Sequence, residues 1–162
     1  MIETKTNAMR LFDAAKTDYK IHTYDTGDGL LDGNSVAKKC GQDPNRVFKT
    51  LVTKGHNGEH YVFVIPVNAA LDLKKAAKAV KNKSIEMIRQ KELLPLTGYI
   101  HGGCSPFGMK KQFFTVFEET AQLFDTIMVS GGKVGCQIEA DPEAMMALIG
   151  VENAAYADLI KE

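Results

Sequence analysis

The sequence predicts an α+β fold: a mixed, partly closed, barrel-like β-sheet surrounded by helices. Three observations carry that expectation. Residues 47–53 and 61–67 are rich in β-branched and aromatic residues and are separated by Lys54-Gly55-His56-Asn57-Gly58, which reads as a hairpin. A second hairpin is written into residues 126–130 and 134–138, around Gly131-Gly132-Lys133. Six or more short strands, joined mainly by hairpins, alternate with stretches of helical period, and that mixture points to a sheet flanked by helices.

The elements follow in order. Residues 4–17 place Ala8, Leu11, Phe12 and Ala15 at helical spacing, predicting an amphipathic first helix. Residues 20–24 read as a short strand. Residues 25–33 hold three glycines and three aspartates and read as an exposed loop. Asn34 or Ser35 is placed to cap a short helix that ends at Gly41, and Asp43-Pro44-Asn45 is a turn. After the first hairpin, Asp72 caps a helix running to about Val80, with Leu73, Ala76, Ala77 and Val80 on one face. Residues 84–87 read as a strand, and residues 89–94 as a helix that Pro95 stops. Residues 113–117 form a further strand. Asp141-Pro142-Glu143 is an N-cap followed by proline at the first helical position, opening a helix that Gly150 ends. A last short helix is expected to reach Ile160.

With 162 residues, the chain is expected to form one domain, residues 1–162, able to bury a sizeable core. Apolar residues make up 44% and charged residues 25%, as in ordinary globular proteins. No apolar run approaches ~18 residues, so no membrane span is expected. The first five residues carry no apolar leader stretch. Cys40, Cys104 and Cys136 are odd in number and lack metal-ligand spacing, which points to reduced thiols and a cytoplasmic location. His22, His56 and His60 are not read as a ligand set, and no metal or other cofactor is expected. Twenty basic and twenty acidic residues cancel. A protein that coats nucleic acid shows a basic excess, which leaves contact with only one end of a nucleic acid. The clusters Lys74-Lys75, Lys78, Lys81 and Lys83, and Lys110-Lys111, read as solvated faces.

Residues 98–108, Gly98-Tyr99-Ile100-His101-Gly102-Gly103-Cys104-Ser105-Pro106-Phe107-Gly108, are the stretch the chain is organised around. Four glycines in eleven residues allow positive φ and close approach, and successive backbone N–H groups make a concave anion or carbonyl site. Lys49 is the second anomaly. On a strand it shares one face with Val47 and Leu51 while Phe48, Thr50 and Val52 share the other, so both faces are apolar and the lysine is at least partly covered. Its ammonium then either serves a site or runs past the sheet edge to water. Cys104, three residues after His101, suggests a thiol nucleophile with a base, or simply a small residue in a tight turn.

Taken together, Val47-Phe48-Lys49-Thr50-Leu51, Leu71-Asp72-Leu73-Lys74-Lys75, Thr97-Gly98-Tyr99 with Gly102-Gly103-x-Ser105-Pro106-x-Gly108-x-Lys110-Lys111, and Val129-Ser130-Gly131-Gly132-Lys133 resemble the YbaK/EbsC family. These are small aminoacyl-tRNA deacylases related to the editing domain of bacterial prolyl-tRNA synthetases. The resemblance implies a pocket between the lysine strand and the loop 102–106. It puts the family lysine at Lys49, to hold the ester or terminal ribose phosphate, and catalytic loop positions at Gly102, Gly103 and Pro106. It implies substrate contacts at Tyr24, Gly98, Ser105, Gly131, Gly132, Lys133 and Gln137. Thr50 and the doubled glycine are closer to the Cys-tRNA(Pro) branch than to the alanine-removing branch, which usually has asparagine after the lysine. Gln137 stands where the cysteine-specific branch often has aspartate. The implied partners are the acceptor end of an aminoacyl-tRNA and a prolyl-tRNA synthetase. The expected function is trans-editing, removal of cysteine from Cys-tRNA(Pro) or Cys-tRNA(Cys) by attack of the substrate's own thiol. The alternatives are a broader editing hydrolase using water, a nucleotide-binding module without turnover, and a Cys104-dependent thiol hydrolase.

Overall fold

The computed structural model describes residues 4–162, so the start of the segment read for a leader, residues 1–3, lies outside the described residues. Among the described residues, eight strands fall into two sheets. β1 (Lys20–Thr23), β7 (Cys136–Ala140) and β6 (Ile127–Ser130) make an antiparallel three-stranded sheet in the order β1-β7-β6. β4 (Ile85–Met87), β2 (Phe48–Gly55), β3 (His60–Pro66), β5 (Phe114–Glu118) and β8 (Ala154–Ala157) make a five-stranded sheet in that order. A bridge from Val47 to Met128 ties the sheets together, but they do not close into a barrel.

The hairpin β2–β3 forms with Phe48 opposite Pro66 and Lys54 opposite His60. Alternation then gives the five-stranded sheet two apolar faces. Phe48, Val52, Val62, Val64 and Phe117 face a large core shared with the second sheet, α1 (Asn7–Ala14) and α5 (Pro142–Ile149). Phe63, Ile65 and Val116 face a smaller core under α3 (Leu73–Ala79). A sheet covered on both sides needs strands that are apolar throughout, which is how these read. Asp72 caps α3 by accepting the Lys74 and Lys75 N–H groups at 2.9 and 3.1 Å, worth about 1 kcal/mol.

Several expectations are corrected. In α1 it is Met9, with Ala8 and Phe12, that is buried, whereas Leu11 stays 39% exposed and Ala15 lies past the helix. Leu73 is likewise turned outward. α2 (Gly33–Lys39) is capped by Asp32, whose carboxylate accepts the Ser35 N–H, not by Asn34 or Ser35. α4 (Gln90–Thr97) runs through Pro95 and ends at Gly98 in the left-handed region, with φ 86°. Proline removes one helical N–H, but the Thr97 hydroxyl donates to Leu93 O and Gly98 N–H to Leu94 O, which closes the last turn around it. The segment expected as a final helix is β8. Its alanines are small enough to lie flat beside β5, and parallel pairing with Thr115 to Glu118 overrides local helical propensity. The β3–β5 and β5–β8 pairs are both parallel and need crossovers, so fewer connections are hairpins than expected.

Candidate functional site

A cavity opens where β2 runs out of partners. One edge of β2 is paired with β3 throughout, but on the other edge β4 covers only Thr53 to Gly55. Ile88 N–H then bonds Val52 O, and the chain leaves into α4. At the far end Val47 meets β6. Residues 49–51 lie between these contacts with no strand on that edge. The bonds Val67 N–H to Val47 O and Gly55 N–H to Glu59 O show that odd-numbered residues serve β3, so the Thr50 N–H and C=O face the gap. The cavity there has a volume of about 380 Å³ and wraps the bare edge, taking wall residues from both faces of β2. Tyr24 borders it, having left β1 with its N–H still bonded to Gly135 O.

Lys49 projects into this space and is partly buried. Burial pulls its ammonium below the ordinary lysine range, and among the described residues it has no hydrogen-bond or ion-pair partner. Asp32 is a carboxylate on the wall, but it caps α2 and accepts the Ser35 hydroxyl at 2.6 Å. Gln137 sits on the middle strand β7, opposite His22 on one side and Ser130 on the other. It is 7% exposed, and its Oε1 is buried without a hydrogen-bond partner.

The glycine-rich loop forms the other wall and is pinned at several points. Ile100 O accepts the Gly103 N–H, closing a turn in which Gly102 takes φ 86°. A Cβ on Gly103 would stand 2.9 Å from the Val134 backbone nitrogen, so only glycine lets the loop lie against the β6–β7 turn. The buried Tyr99 hydroxyl donates to Phe107 O, and Phe107 packs edge-on against Phe12 at 4.9 Å. Ser105, fully buried, accepts the Phe107 N–H through its hydroxyl. The expectation that all of residues 102–106 offer donors therefore narrows. Gly103 N–H is committed to Ile100, Pro106 has none, and Gly102 lines the cavity with its N–H bonded to no acceptor among the described residues.

Of the positions singled out in the sequence, the structure brings Tyr24, Lys49, His101, Gly102, Cys104 and Gln137 to the cavity wall. Gly103, Ser105 and Pro106 lie buried behind it. Gly98, Gly131, Gly132 and Lys133 are outside its lining, the first capping α4 and the rest shaping the β6–β7 turn beside Ser130, which does line it. Arg89 and Gln90, where β4 passes into α4, were not legible as site residues, since nothing in the sequence shows where β4 stops. Thr50 was visible only as part of the motif around Lys49.

Cys104 also touches the cavity, but it is 8% exposed and burial pushes its thiol up to about 12. Its sulfur contacts Ser105 O, and no hydrogen bond joins it to the exposed His101 among the described residues. A thiol held neutral is a poor nucleophile, which removes the support for a Cys104–His101 pair. Elsewhere, folding brings carboxylates of Glu118, Glu119 and Asp158 within 4.8 Å of one another. Buried Glu118 is already satisfied by the N–H groups of Thr120 and Leu159, a structural role.

A protein of Enterococcus faecalis named as a candidate Cys-tRNA(Pro)/Cys-tRNA(Cys) deacylase, EbsC, is 48% identical over 157 residues, covering 97% of this chain and 94% of its own. The crystal structure of a candidate trans-editing enzyme for prolyl-tRNA synthetase superposes with a TM-score of 0.82 at 24% identity, covering 99% of this chain and 100% of that one. A hypothetical protein, APE2540, superposes with a TM-score of 0.85 at 17% identity over 96% of this chain and 100% of that one, and these two likenesses establish the fold. No helix among the described residues is long and apolar enough to cross a membrane. The family model for the aminoacyl-tRNA editing domain matches residues 32–148, which span the lysine strand, the glycine loop and β7, and the chain belongs to that family.

Proposed function

We propose that this protein removes cysteine from Cys-tRNA(Pro) in the cytoplasm, and that the substrate's thiol is the nucleophile. The observation that carries the proposal is a cavity with an unpartnered cation and Gly102 on its wall but no activated protein nucleophile, since burial holds the Cys104 thiol neutral. The substrate thiolate attacks its own ester carbon; the new S–C bond forms as the C–O bond breaks. The electron pair leaves on the ribose oxygen, which takes up the proton given up by the thiol. The products are tRNA with a free terminal hydroxyl and a cysteine thiolactone, which water later opens to cysteine. In this reading the Gly102 N–H, which has no acceptor among the described residues, bonds the developing oxyanion. Lys49 holds the ester end or terminal phosphate against the wall, so the contribution is orientation of two groups already on one molecule. A chain of zero net charge is suited to holding the acceptor end, with a prolyl-tRNA synthetase holding the tRNA body.

The test is turnover of Cys-, Ala- and Ser-tRNA(Pro) by wild type and Cys104→Ala. Fast release confined to cysteine in both proteins is expected. Release of alanine or serine that disappears in Cys104→Ala overturns the substrate-thiol route in favour of an enzyme thiol. Equal release of all three by both proteins means water is the nucleophile and the editing is broader, an outcome that the neutral Gln137 in place of the usual aspartate makes worth measuring.

A further inference from the structure

The segment between β1 and α2, residues 25–31, is exposed along its whole length, and none of it joins a hydrophobic cluster among the described residues. Leu31 nevertheless lines the cavity, as do Tyr24 just before the segment and Asp32 just after it. The bonds inside the segment are local: Gly27 N–H to the Asp25 carboxylate, Leu30 N–H to the Asp28 carboxylate and Gly29 N–H to Thr26 O. Among the described residues, every hydrogen bond from the segment to the rest of the chain goes to one side chain, Lys39.

Lys39 stands in the last turn of α2, whose Ala37 packs with Val47 and Met128 where the two sheets meet. Its ammonium donates to Asp25 O at 2.6 Å, to the Asp28 carboxylate at 2.7 Å and to Leu30 O at 2.9 Å. That spends all three of its donors, and the side chain is only 18% exposed beneath a segment that is itself open to water. The Lys39 ammonium, and after it the Leu30 N–H, hold the Asp28 carboxyl below the ordinary range, so this pair is charged at neutral pH. Lys38, in the same turn, is exposed and has no partner among the described residues. Both lysines suit the negative end of α2, but only Lys39 reaches back to gather the segment.

We propose that Lys39 is a positioning residue for deacylation: it latches residues 25–31 so that Tyr24 and Leu31 are already in place on the cavity wall when the aminoacyl end arrives. This rests on the editing function proposed above. Without the latch, the segment has no apolar contact to hold it and samples many conformations. The substrate must then order it, and that cost appears as weaker binding. The bond-making step joins two groups of one substrate molecule and involves no atom of the segment. The loss therefore falls on KM and not on kcat.

The experiment measures kcat and KM on Cys-tRNA(Pro) for wild type, Lys39→Met, Lys38→Met and Asp28→Asn. It also maps cleavage of the folded proteins by a protease that cuts beside aspartate. Lys38→Met removes a charge from the same helix end without touching the latch, so it isolates the dipole effect. Lys39→Met should raise KM about 10-fold or more, the value of one hydrogen bond to a charged group, with kcat within about 3-fold of wild type. Asp28→Asn weakens the latch from the other side and should raise KM by about 3-fold, which keeps the test decisive if Lys39→Met does not fold. Cleavage at Asp25 and Asp28 should quicken in Lys39→Met and not in Lys38→Met, with the thermal midpoints of those two variants alike. A fall in kcat at unchanged KM, or matching losses in the two lysine variants, overturns the inference and leaves Lys39 as a helix-end charge. Faster cleavage at unchanged KM also overturns it, because the substrate then does not use the segment. A wild-type protein that releases no cysteine from Cys-tRNA(Pro) overturns the editing function itself, a result distinct from either of these.

Discussion

Gln137 and Glu139 lie two residues apart on β7 and project from the same face, yet the structure treats them oppositely. Glu139 is saturated: its carboxylate accepts the Thr126 hydroxyl at 2.6 Å, lies 2.7 Å from His22 Nε2, and pairs with Arg46 at 3.2 Å. Arg46 in turn donates to Thr126 O and to Gln42. Gln137 has an oxygen with no hydrogen-bond partner among the described residues. The same contrast holds on the β2 side, where Arg46 is fully engaged and Lys49, three residues on, has no partner among the described residues. Charge and burial do not separate the two regions; completeness of pairing does. The saturated cluster joins the segment entering β2 to the three-stranded sheet, and the unsaturated one faces the cavity.

Lys49→Ala gives the largest expected break in that comparison. Deacylation of Cys-tRNA(Pro) should fall more than about 10-fold, or above ~1.4 kcal/mol, with the thermal midpoint unchanged or raised. Retention of more than a tenth of the rate would remove Lys49 from its role. Stability should also be less pH-sensitive in the variant on the alkaline side. Burial lowers the folded-state pKa of Lys49, so the unfolded chain binds more protons in the window between that value and the ordinary lysine value. Wild type therefore gains stability as pH rises through this window, and Lys49→Ala should not.

Glu139→Gln tests the saturated side. It should lower stability by about 1–3 kcal/mol while the folded fraction keeps its activity, because the cluster holds structure together. The pH dependence has the opposite sense. The Thr126 hydroxyl, followed by His22 and Arg46, lowers the Glu139 pKa, so its contribution is fully present above the unfolded value of about 4.3 and is lost as pH falls through the folded value. Chemical denaturation between neutral and acidic pH should show a shallower acid limb in Glu139→Gln. An activity loss larger than the stability loss would instead place Glu139 in the site.

The smallest effect separates two loop glycines with the same backbone. Gly102 has φ 86° and Gly58 φ 85°, and an added Cβ meets only Val134 at 3.6 Å in the first and nothing in the second. Alanine at either should therefore destabilise by a similar amount, about 1–2 kcal/mol. Only Gly102→Ala should slow deacylation, since Gly102 alone lines the cavity. Equal rates in the two variants would reduce the loop to scaffolding.

How much of this was legible in the chain depends on how local the cause is. The β2–β3 hairpin, the Asp72 and Asp141-Pro142 caps and the Gly150 stop all rest on interactions within a few residues, and all were readable. The apolar pattern on both faces of β2 also announced a sheet covered on two sides and made Lys49 stand out. The alanine-rich segment at 154–157 could not be read as a strand, because its partner β5 is far away in the chain and supplies the deciding hydrogen bonds. The site divides the same way. Sequence marked Lys49 and the glycine loop by residue types out of place, but three things needed the tertiary structure. β4 stops at Met87 and leaves Thr50 on a bare edge. Gly103 N–H is taken by Ile100, while Gly102 lines the cavity and its N–H has no acceptor among the described residues. Gln137 is unpaired, whereas Glu139, two residues on, is satisfied. Residue type and spacing set what a side chain is able to bond, but whether a partner arrives is decided by strands and loops distant in sequence, and that is where structural and functional polar groups part.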